Sequence, residues 1–305
     1  MLIRFIKKTP NINFLGKKRL FFFLSGTLSI ISLIFLIVKG LNFGIDFKGG
    51  LLVEISLNKN IEIVNIRSSL GEIVPGDFSI QSLDNSKTNY LIKVETYTSV
   101  KDNNQKLISE IKNNLNKEYI DVDYRRLEYV GPTVSKELIK AGIFSILIAI
   151  GAMLIYIWFR FELPFAVGAV IALVHDIVLT IGMFSISSLE FNLATVAAIL
   201  LIIGYSMNDT VVVYDRIREN LKKFRKISII SLLNKSVNET LSRTINTTAT
   251  TILALLALFI FGGNIIKDFS FAMIWGILIG TYSSILIATP VLVFLNIKRN
   301  ENQEE

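Results

Sequence analysis

The hydrophobic residues of this chain fall into long runs that are separated by shorter polar stretches. A helix needs roughly 20 mostly apolar residues to cross about 30 Å of hydrocarbon at about 1.5 Å per residue. Six segments meet this requirement, although polar flanks make the fifth the weakest of them. We therefore predict an integral membrane protein with six transmembrane helices. The apolar segments cover residues 20–38, 141–159, 164–184, 193–214, 250–261 and 269–295.

The region between the first two apolar segments has a different pattern. Leu51, Val53, Ile55 and Leu57 recur at every second position, which is the period of a half-buried β-strand. The runs that follow predict the order β-α-β-β-α-β, the pattern of a small ferredoxin-like α+β domain. This region holds no histidine, no cysteine and no nucleophile-elbow serine, so we interpret it as a binding or conformational module rather than an enzyme. After the first strand, we expect a helix over 61–70, strands over 78–83 and 90–97 with a turn at 84–86, a helix over 101–115, and a strand containing Ile120, Val122 and Tyr124.

Composition agrees with a membrane protein and excludes several kinds of chemistry. Hydrophobic residues make up 51% of the chain and its mean hydropathy is +0.54, which is too apolar for a single soluble core. There is no cysteine, so disulfides and thiolate nucleophiles are excluded. The single histidine, His175, has no cluster of carboxylates around it in the sequence, which argues against a transition-metal site.

The placement of Lys and Arg predicts the orientation of the helices. Basic residues are concentrated before the first segment and between the fourth and fifth, whereas the short loops 185–191 and 262–268 hold only Lys267. Because positive residues are retained on the cytoplasmic side, we expect both termini there and the insert outside. This topology explains the net charge of +7 without nucleic acid. The expected units are an N-terminus over 1–19, a first helix over 20–40, an outer domain over 41–138, five helices over 139–296 and a tail over 297–305.

The connection at 215–242 has a further pattern. Ile230, Leu233, Val237 and Leu241 recur at helical spacing opposite basic residues. A helix with one apolar and one basic face is typical of the membrane surface. We therefore predict an amphipathic helix that lies on the inner surface of the membrane.

Ionisable residues inside the apolar segments are the main functional candidates, because each costs several kcal/mol in hydrocarbon unless it is paired or hydrated. Asp209 lies just inside the cytoplasmic end of the fourth segment, beside Asn208. Arg243 begins the fifth span in a run rich in hydroxyls that includes Thr247 and Thr248. A nearby guanidinium would favour the ionised carboxylate, so Asp209 and Arg243 form a candidate proton-driven switch. The alternatives are a hydrated or locally capped aspartate, a snorkelling arginine, and threonines that bond their own backbone.

Two further polar residues, His175 and Asp176, lie near the middle of the third segment. They are candidates for a proton relay, and an ordinary hydrogen bond between helices is the alternative for each of them. In the sixth segment, Gly276 and Gly280 have the GxxxG spacing that permits close packing of helices.

Four motifs, taken with their order and the predicted topology, carry a family resemblance. The chain resembles the SecF family of bacterial protein-export membrane proteins over nearly its whole length. The resemblance implies a six-helix bundle similar to half of a proton-driven RND transporter, with a small periplasmic domain after the first helix. The motifs are FGIDFKGG at 43–50, GPTV at 131–134, YIWFRFE at 156–162 and NDTVVVYDRIREN at 208–220.

The resemblance also implies roles for individual residues. Asp209 corresponds to a proton-responsive aspartate and Arg243 to a functional arginine on the next helix. Further polar residues of the membrane segments are expected to take part in proton coupling, and the FGIDFKGG segment is expected at the outer junction. These remaining candidates are Asn208, Asp176, Thr247 and Thr248 for proton coupling and Gly44, Asp46, Gly49 and Gly50 for the junction.

The function implied by the resemblance is that of a non-ATPase accessory to the Sec channel in the bacterial inner membrane. Paired with SecD beside SecYEG, and with YajC as a further partner, such a chain uses inward proton flow to help draw unfolded preproteins outward. No cofactor is expected besides the proton gradient, and the lipid bilayer is the surrounding solvent. Two alternatives remain open, namely half of an RND-type small-molecule exporter and a passive scaffold for the channel.

Overall fold

The computed structural model describes residues 10–74, 78–83, 88–95, 101–295 and 297. The basic residues before position 10, the turn predicted at 84–86, the end of the strand predicted to reach 97, and most of the tail lie outside the described residues. In chain order the elements are α1 (Lys18–Val38), β1 (Asn42–Phe43), α2 (Ile45–Lys48), β2 (Gly50–Ser56), α3 (Ile63–Gly71), β3 (Phe78–Ser82), β4 (Asn89–Val94), α4 (Lys101–Glu118), β5 (Asp123–Val130), α5 (Pro132–Arg160), α6 (Leu163–Ser187), β6 (Glu190–Phe191), α7 (Leu193–Lys223), α8 (Ile229–Phe261), α9 (Gly263–Ser283), a π turn (Ser284–Ala288) and α10 (Thr289–Phe294).

Six helical spans of the described chain are long and apolar enough to cross a membrane, which confirms the predicted number. Three of them form the centre of the bundle, since 56% of the most apolar stretch of α6, 56% of that of α7 and 61% of that of the sixth span are buried. The corresponding shares are 11%, 6% and 17% for the first, second and fifth spans. The apolar faces of these outer helices are therefore left for the lipid.

Helices α7 and α8 extend well beyond the apolar segments that predicted them. The first continues to Lys223 and the second begins at Ile229, so together they form a long helical hairpin. At the start of α8 the hydroxyl of Ser228 accepts a hydrogen bond from the amide of Ser231. Hydropathy marks the part of a helix that meets lipid, whereas capping groups of this kind mark where a helix begins.

The prediction of an amphipathic helix on the membrane surface is wrong. Residues 229–241 are the first turns of the continuous helix α8, so they cannot lie flat while the rest of that helix crosses the membrane. Their apolar stripe packs inside the protein, where Leu233 and Val237 are fully buried. On the same helix, the side chains of Asn234 and Asn238 bind the backbone of the segment that precedes α1, with distances of 3.0 and 2.9 Å.

The insert between α1 and α5 contains a four-stranded antiparallel sheet in the order β3-β4-β2-β5. This strand order, together with the sequence order β-α-β-β-α-β, confirms the predicted ferredoxin-like domain. Alternate side chains of β2, among them Leu51, Val53 and Ile55, are buried together with apolar residues of α3 and α4. The period-2 pattern of the sequence therefore marks the face of the sheet that the two helices cover.

The last strand of the insert begins later than predicted. Strand β5 starts at Asp123, so Ile120 and Val122 precede it, and Ile120 is 87% exposed. Asp121 has a positive φ of 57°, which marks a turn between α4 and β5. Tyr124 does lie in the strand, where its hydroxyl donates to the Lys112 carbonyl at 3.2 Å and burial raises the pKa of the phenol.

The two ends of the sheet domain meet at its base. Gly50, the first residue of β2, pairs with Val130, the last residue of β5. Gly50 has a φ of 146°, and a Cβ at this position would contact the carbonyl oxygen of Val94 on β4. The position therefore requires glycine both for its backbone conformation and for the close approach of the neighbouring strand.

Candidate functional site

Asp209 lies midway along α7 and is buried, with 2% of its surface exposed. Because α7 continues to Lys223, the carboxylate is deeper in the bundle than the predicted end of the span implied. Thr281 of α9 donates a hydrogen bond from Oγ1 to Asp209 Oδ2 at 3.4 Å. The carboxylate therefore lies between helices and not at a hydrated helix end.

A second threonine continues this contact to α8. Thr248 Oγ1 lies 2.9 Å from Thr281 Oγ1. Since Thr281 donates its hydroxyl hydrogen to Asp209, Thr248 is the donor in this pair. The neighbouring Thr247 instead donates to backbone carbonyl oxygens of its own helix, the alternative considered from the sequence. The structure thus connects Thr248 to the aspartate but not Thr247.

Arg243 and Asn208 both lie on the outer surface of the bundle, where they are exposed. Among the described residues, no ion pair within 4.0 Å joins Arg243 to Asp209. The guanidinium is nevertheless close enough to interact with the carboxylate electrostatically. The two predicted members of the switch are therefore not in direct contact, and Asn208 faces away from the buried carboxylate.

Asp176 of α6 is fully buried and is held by three polar neighbours. Ser206 of α7 and Ser283 of α9 donate to its Oδ2 at 2.7 and 2.8 Å, and His175 Nδ1 lies 3.1 Å from its Oδ1. The two serine contacts are hydrogen bonds between helices, the alternative to a relay that the sequence left open for Asp176, whereas the contact with His175 lies within α6. Ser206 precedes Asp209 by one turn of α7, so the same helix contacts one buried carboxylate and carries the other.

Thr281, Ser206 and Ser283 hold the two carboxylates, and none of the three is among the site residues predicted from the sequence. Two of them belong to the run Gly-Thr-Tyr-Ser-Ser at 280–284, which interrupts an otherwise apolar span. Consecutive polar residues are costly in hydrocarbon unless they face protein or water. This run was therefore the available signal for the buried face of the sixth span.

The GxxxG spacing of Gly276 and Gly280 brings α9 against α7. A Cβ at Gly280 would lie 2.8 Å from the Cβ of Ser206, and a Cβ at Gly276 would meet the side chain of Ile202. The close helix packing predicted for this motif is confirmed. The short separation is also what allows Thr281 and Ser283 to reach carboxylates on the neighbouring helices.

The sixth span departs from α-helical geometry beside this network. A π turn covers Ser284–Ala288, and Pro290 follows at the start of α10. Proline has no amide hydrogen, so the helical hydrogen bond that a residue at position 290 would otherwise donate is missing. Tyr214 of α7 donates its hydroxyl to the Ala288 carbonyl at 3.2 Å, and Thr210 Oγ1 lies 2.8 Å from Ser284 Oγ. Side chains of α7 thus stabilise the π turn.

The charged residues that end the NDTVVVYDRIREN motif make structural contacts at the other end of α7. Arg160 Nη2 lies 3.0 Å from Asp215 Oδ1, which links α5 to α7. Arg216 Nε donates to Glu239 Oε2 at 2.6 Å, and Asn220 donates to the same oxygen at 2.8 Å. These contacts link α7 to α8, so this part of the motif holds the helical hairpin together.

The FGIDFKGG segment lies at the junction between the insert and the bundle. Gly44 precedes the short helix α2, and Gly49, with a φ of 79°, follows it. Within α2, Asp46 Oδ2 accepts a hydrogen bond from the amide of Leu193 at 2.9 Å, and Leu193 is the first residue of α7. A carboxylate at a helix N-terminus satisfies a free amide and interacts favourably with the helix dipole. The junction therefore holds the first turn of the helix that carries Asp209.

A second contact joins the sheet of the insert to the same end of the bundle. Lys93 of β4 forms an ion pair with Glu190 of β6, and both side chains are largely buried. Strand β6 also pairs in parallel with β1, with Asn42 opposite Glu190. Beside these contacts a cleft of about 430 Å³ lies between the sheet and the bundle. The insert is therefore held next to the start of α7 while open space remains alongside.

Reversing the charge of either Lys93 or Glu190 is expected to loosen the insert from the bundle. Lys93→Glu and Glu190→Lys each place two like charges in a largely buried site, whereas the double exchange restores the pair. A hydrogen bond to a charged group contributes about 1.5 to 3 kcal/mol, so we expect roughly a 10- to 100-fold rise in local opening for each single variant. Amide hydrogen exchange of β6 and the first turn of α7 measures this opening. If amide hydrogen exchange in the double variant is as fast as in the single variants, the Lys93–Glu190 ion pair is not the specific contact that holds the insert.

Comparison with known proteins identifies relatives of this chain. Residues 110–298 match the family model "Protein export membrane protein SecD/SecF, C-terminal", and residues 34–61 match the SecD/SecF GG motif. The chain is 44% identical over 298 residues to the protein translocase subunit SecF of Rickettsia bellii (strain OSU 85-389), with 97% of each chain covered. It is 42% identical over 301 residues to the subunit of the same name from Rickettsia rickettsii (strain Sheila Smith), with 98% of this chain and 97% of the relative covered.

Solved structures give the same relationship. The crystal structure of SecDF, a translocon-associated membrane protein from Thermus thermophilus, matches with a TM-score of 0.83 and 34% identity over 94% of this chain. A structure of SecDF in a super-membrane-facing form matches with a TM-score of 0.70. This chain spans 39% of the length of the SecDF chain, so it corresponds to a part of that longer protein. By its sequence and its fold, the chain belongs to the SecD/SecF family of protein-export membrane proteins.

Proposed function

We propose that this chain is a SecF-type accessory subunit of the Sec translocase, which works with a SecD-type partner to couple inward proton flow to preprotein movement across the bacterial inner membrane. The observation that carries the proposal is the buried carboxylate of Asp209, which contacts hydroxyl groups contributed by α9 and, through them, α8. In this proposal both termini are cytoplasmic and the insert is periplasmic.

Protonation of Asp209 changes the charge and the hydrogen bonding of the site together. An ionised carboxylate inside a membrane costs several kcal/mol, and Thr281 and the nearby Arg243 offset part of that cost. A bound proton removes the attraction to Arg243 and gives the carboxyl group an O–H donor of its own. Helices α7, α8 and α9 then have two preferred arrangements. One charge that crosses 100 mV supplies about 2.3 kcal/mol, enough to bias such an equilibrium about 50-fold.

A change in α7 reaches the insert through the contacts at the first turn of this helix. Asp46 binds the amide of Leu193, and Glu190 just before α7 is paired with Lys93 of the sheet. The cleft beside these contacts gives the sheet room to move relative to the bundle. In the proposed cycle this movement draws the unfolded preprotein outward, while Asp176 and the threonines of α8 line the proton route.

Exposed polar side chains on the bundle support a partner within the membrane. Asn208 of α7 and Arg243 of α8 are exposed, and hydrocarbon cannot hydrogen-bond to such groups. The Thermus SecDF chain contains a further region that this chain does not cover. A SecD-type chain is the proposed cover of this surface, with SecYEG and YajC as further neighbours in the complex.

Sensitivity to a protonophore tests the proposed function. Proteoliposomes that contain the Sec channel, the SecD-type partner and this chain are compared with a set that lacks this chain, with a secreted reporter preprotein as substrate. We expect an imposed proton gradient to raise translocation several-fold only in the complete set, and a protonophore to remove that gain. An equal gain in both sets would mean that this chain is a passive scaffold for the channel. Proton-driven efflux of small solutes without an effect on the reporter would instead indicate a small-molecule exporter.

A further inference from the structure

His175 is a buried titratable group that the proposed role of Asp209 does not use. It lies on α6 with 8% of its surface exposed, and its Nδ1 is 3.1 Å from Asp176 Oδ1. The imidazole ring stacks on Tyr282 of α9 with 6.1 Å between ring centroids, and the Tyr282 hydroxyl lies 2.8 Å from the Ser25 hydroxyl of α1. The other ring nitrogen, Nε2, is buried and has no hydrogen-bond partner among the described residues.

The chemistry of this arrangement follows from the two ring nitrogens. Asp176 Oδ2 already accepts hydrogen bonds from Ser206 and Ser283, so its Oδ1 is the oxygen available to an Nδ1–H donor. With the hydrogen on Nδ1, Nε2 carries a lone pair in a buried position. Such an acceptor is costly to leave without a donor. A proton that binds to this lone pair forms the second N–H bond of an imidazolium, which is then paired with the Asp176 carboxylate.

The surroundings add few other charges. Among the described residues around the pair, α9 contributes Tyr282, while α7 contributes Asp209 one turn beyond Ser206. Helix α1 contributes hydroxyls, and residues 141–155 of α5, the π turn and α10 contain no ionisable side chain. Asp209 is therefore the other carboxylate on the helices that hold the pair.

We infer that His175 and Asp176 together form a second proton-binding unit, with His175 Nε2 as the atom that takes the proton. The unit carries one negative charge with a neutral imidazole and no net charge with an imidazolium. Because its carboxylate is bonded to α7 and α9, a change in that charge acts on the same two helices that meet at Asp209. The inference rests on the proposed proton-coupled function and extends it from one site to two sites that contact the same helices.

Nitrogen NMR of the imidazole tests the inference directly. His175 is the single histidine of the chain, so ¹⁵N-histidine labelling of this chain alone gives one pair of ring signals when the complex is assembled with an unlabelled partner and without a histidine tag. We expect Nδ1 to stay protonated and Nε2 to change from the unprotonated to the protonated shift as pH falls from about 8 to about 5, the range in which histidine titrates. An Nε2 signal that stays in one state across this range would overturn the inference.

Two variants separate this unit from the Asp209 site. Asp176→Asn removes the carboxylate that pairs with the imidazolium and is expected to abolish the Nε2 transition in the labelled complex. His175→Asn retains a donor near the position of Nδ1 but does not titrate, so translocation is expected to lose a pH-dependent component without losing its response to the proton gradient. A pH profile equal to that of the native chain would contradict the inference. The NMR result does not depend on translocation, so its failure would leave the Asp209 test unaffected.

Discussion

Asparagine at position 209 is expected to abolish the proton-driven part of translocation while the protein still folds. The Asp209→Asn side chain has nearly the same shape and can still accept a hydrogen bond from Thr281, but it cannot gain or lose a proton. One proton that crosses 100 mV is worth about 2.3 kcal/mol, so up to about a 50-fold bias is lost with it. Translocation of a reporter preprotein with and without an imposed proton gradient measures this loss.

Asp215→Asn is the matched control for this experiment. It removes one carboxylate from the same helix, but from an exposed ion pair with Arg160 at the far end of α7. Exposed ion pairs contribute about 0 to 1 kcal/mol, so this variant is expected to respond to the gradient like the native chain. If Asp209→Asn kept its response as well, the proton-coupling role of Asp209 would be wrong.

A larger residue at Gly276 is expected to destabilise the membrane bundle more than any other single change considered above. In Gly276→Val the new side chain would occupy the space of Ile202, so α9 must move away from α7. Overpacking of a close interface costs about 1 to 3 kcal/mol, occasionally more. The same displacement would draw Thr281 and Ser283 away from the buried carboxylates. Thermal unfolding of the purified protein in detergent measures the effect.

Two companion variants decide whether the contact with Ile202 is the cause. The double variant Gly276→Val with Ile202→Ala exchanges volume across the interface and is expected to recover much of the lost stability. Gly151→Val on α5 introduces the same residue where no atom lies within 4 Å of the new Cβ, so it is expected to have little effect. Equal destabilisation by Gly151→Val would show that valine in a membrane helix, and not the α7–α9 contact, is responsible.

The features that the sequence predicts well are those that depend on a single helix or strand and not on its neighbours. An apolar run long enough to cross the bilayer is visible without knowledge of its neighbours, and so is the alternation of Leu51, Val53 and Ile55 along β2. Asp209 is visible for the same reason, since a carboxylate within an apolar run is unusual wherever its partners lie. The ends of α7 and α8 are not visible in this way, because hydropathy changes where lipid ends and the helices continue beyond that point.

The features that escape prediction depend on how helices face one another. Thr281 contacts Asp209 across 72 positions of the sequence, and the contact exists because Gly276 and Gly280 let α9 approach α7. Asn208 is adjacent to Asp209 in sequence, yet it points outward because successive residues of a helix are turned by about 100°. Position in the sequence alone therefore includes Asn208 among the site residues and omits Thr281. The packing of the helices instead places Thr281 at the site and Asn208 outside it.

The paired ends of the insert affect how the protein is assembled from parts. Gly50 and Val130 lie opposite one another on neighbouring strands, so the chain enters and leaves the sheet domain at points about 5 Å apart. For the helices below, the whole domain is then equivalent to a short connection between α2 and α5. A longer domain adds almost nothing to the entropic cost of bringing the two ends of this connection together, because the folded domain itself holds them side by side. Evolution can thus enlarge, shorten or exchange the domain without a change in the spacing of the membrane helices.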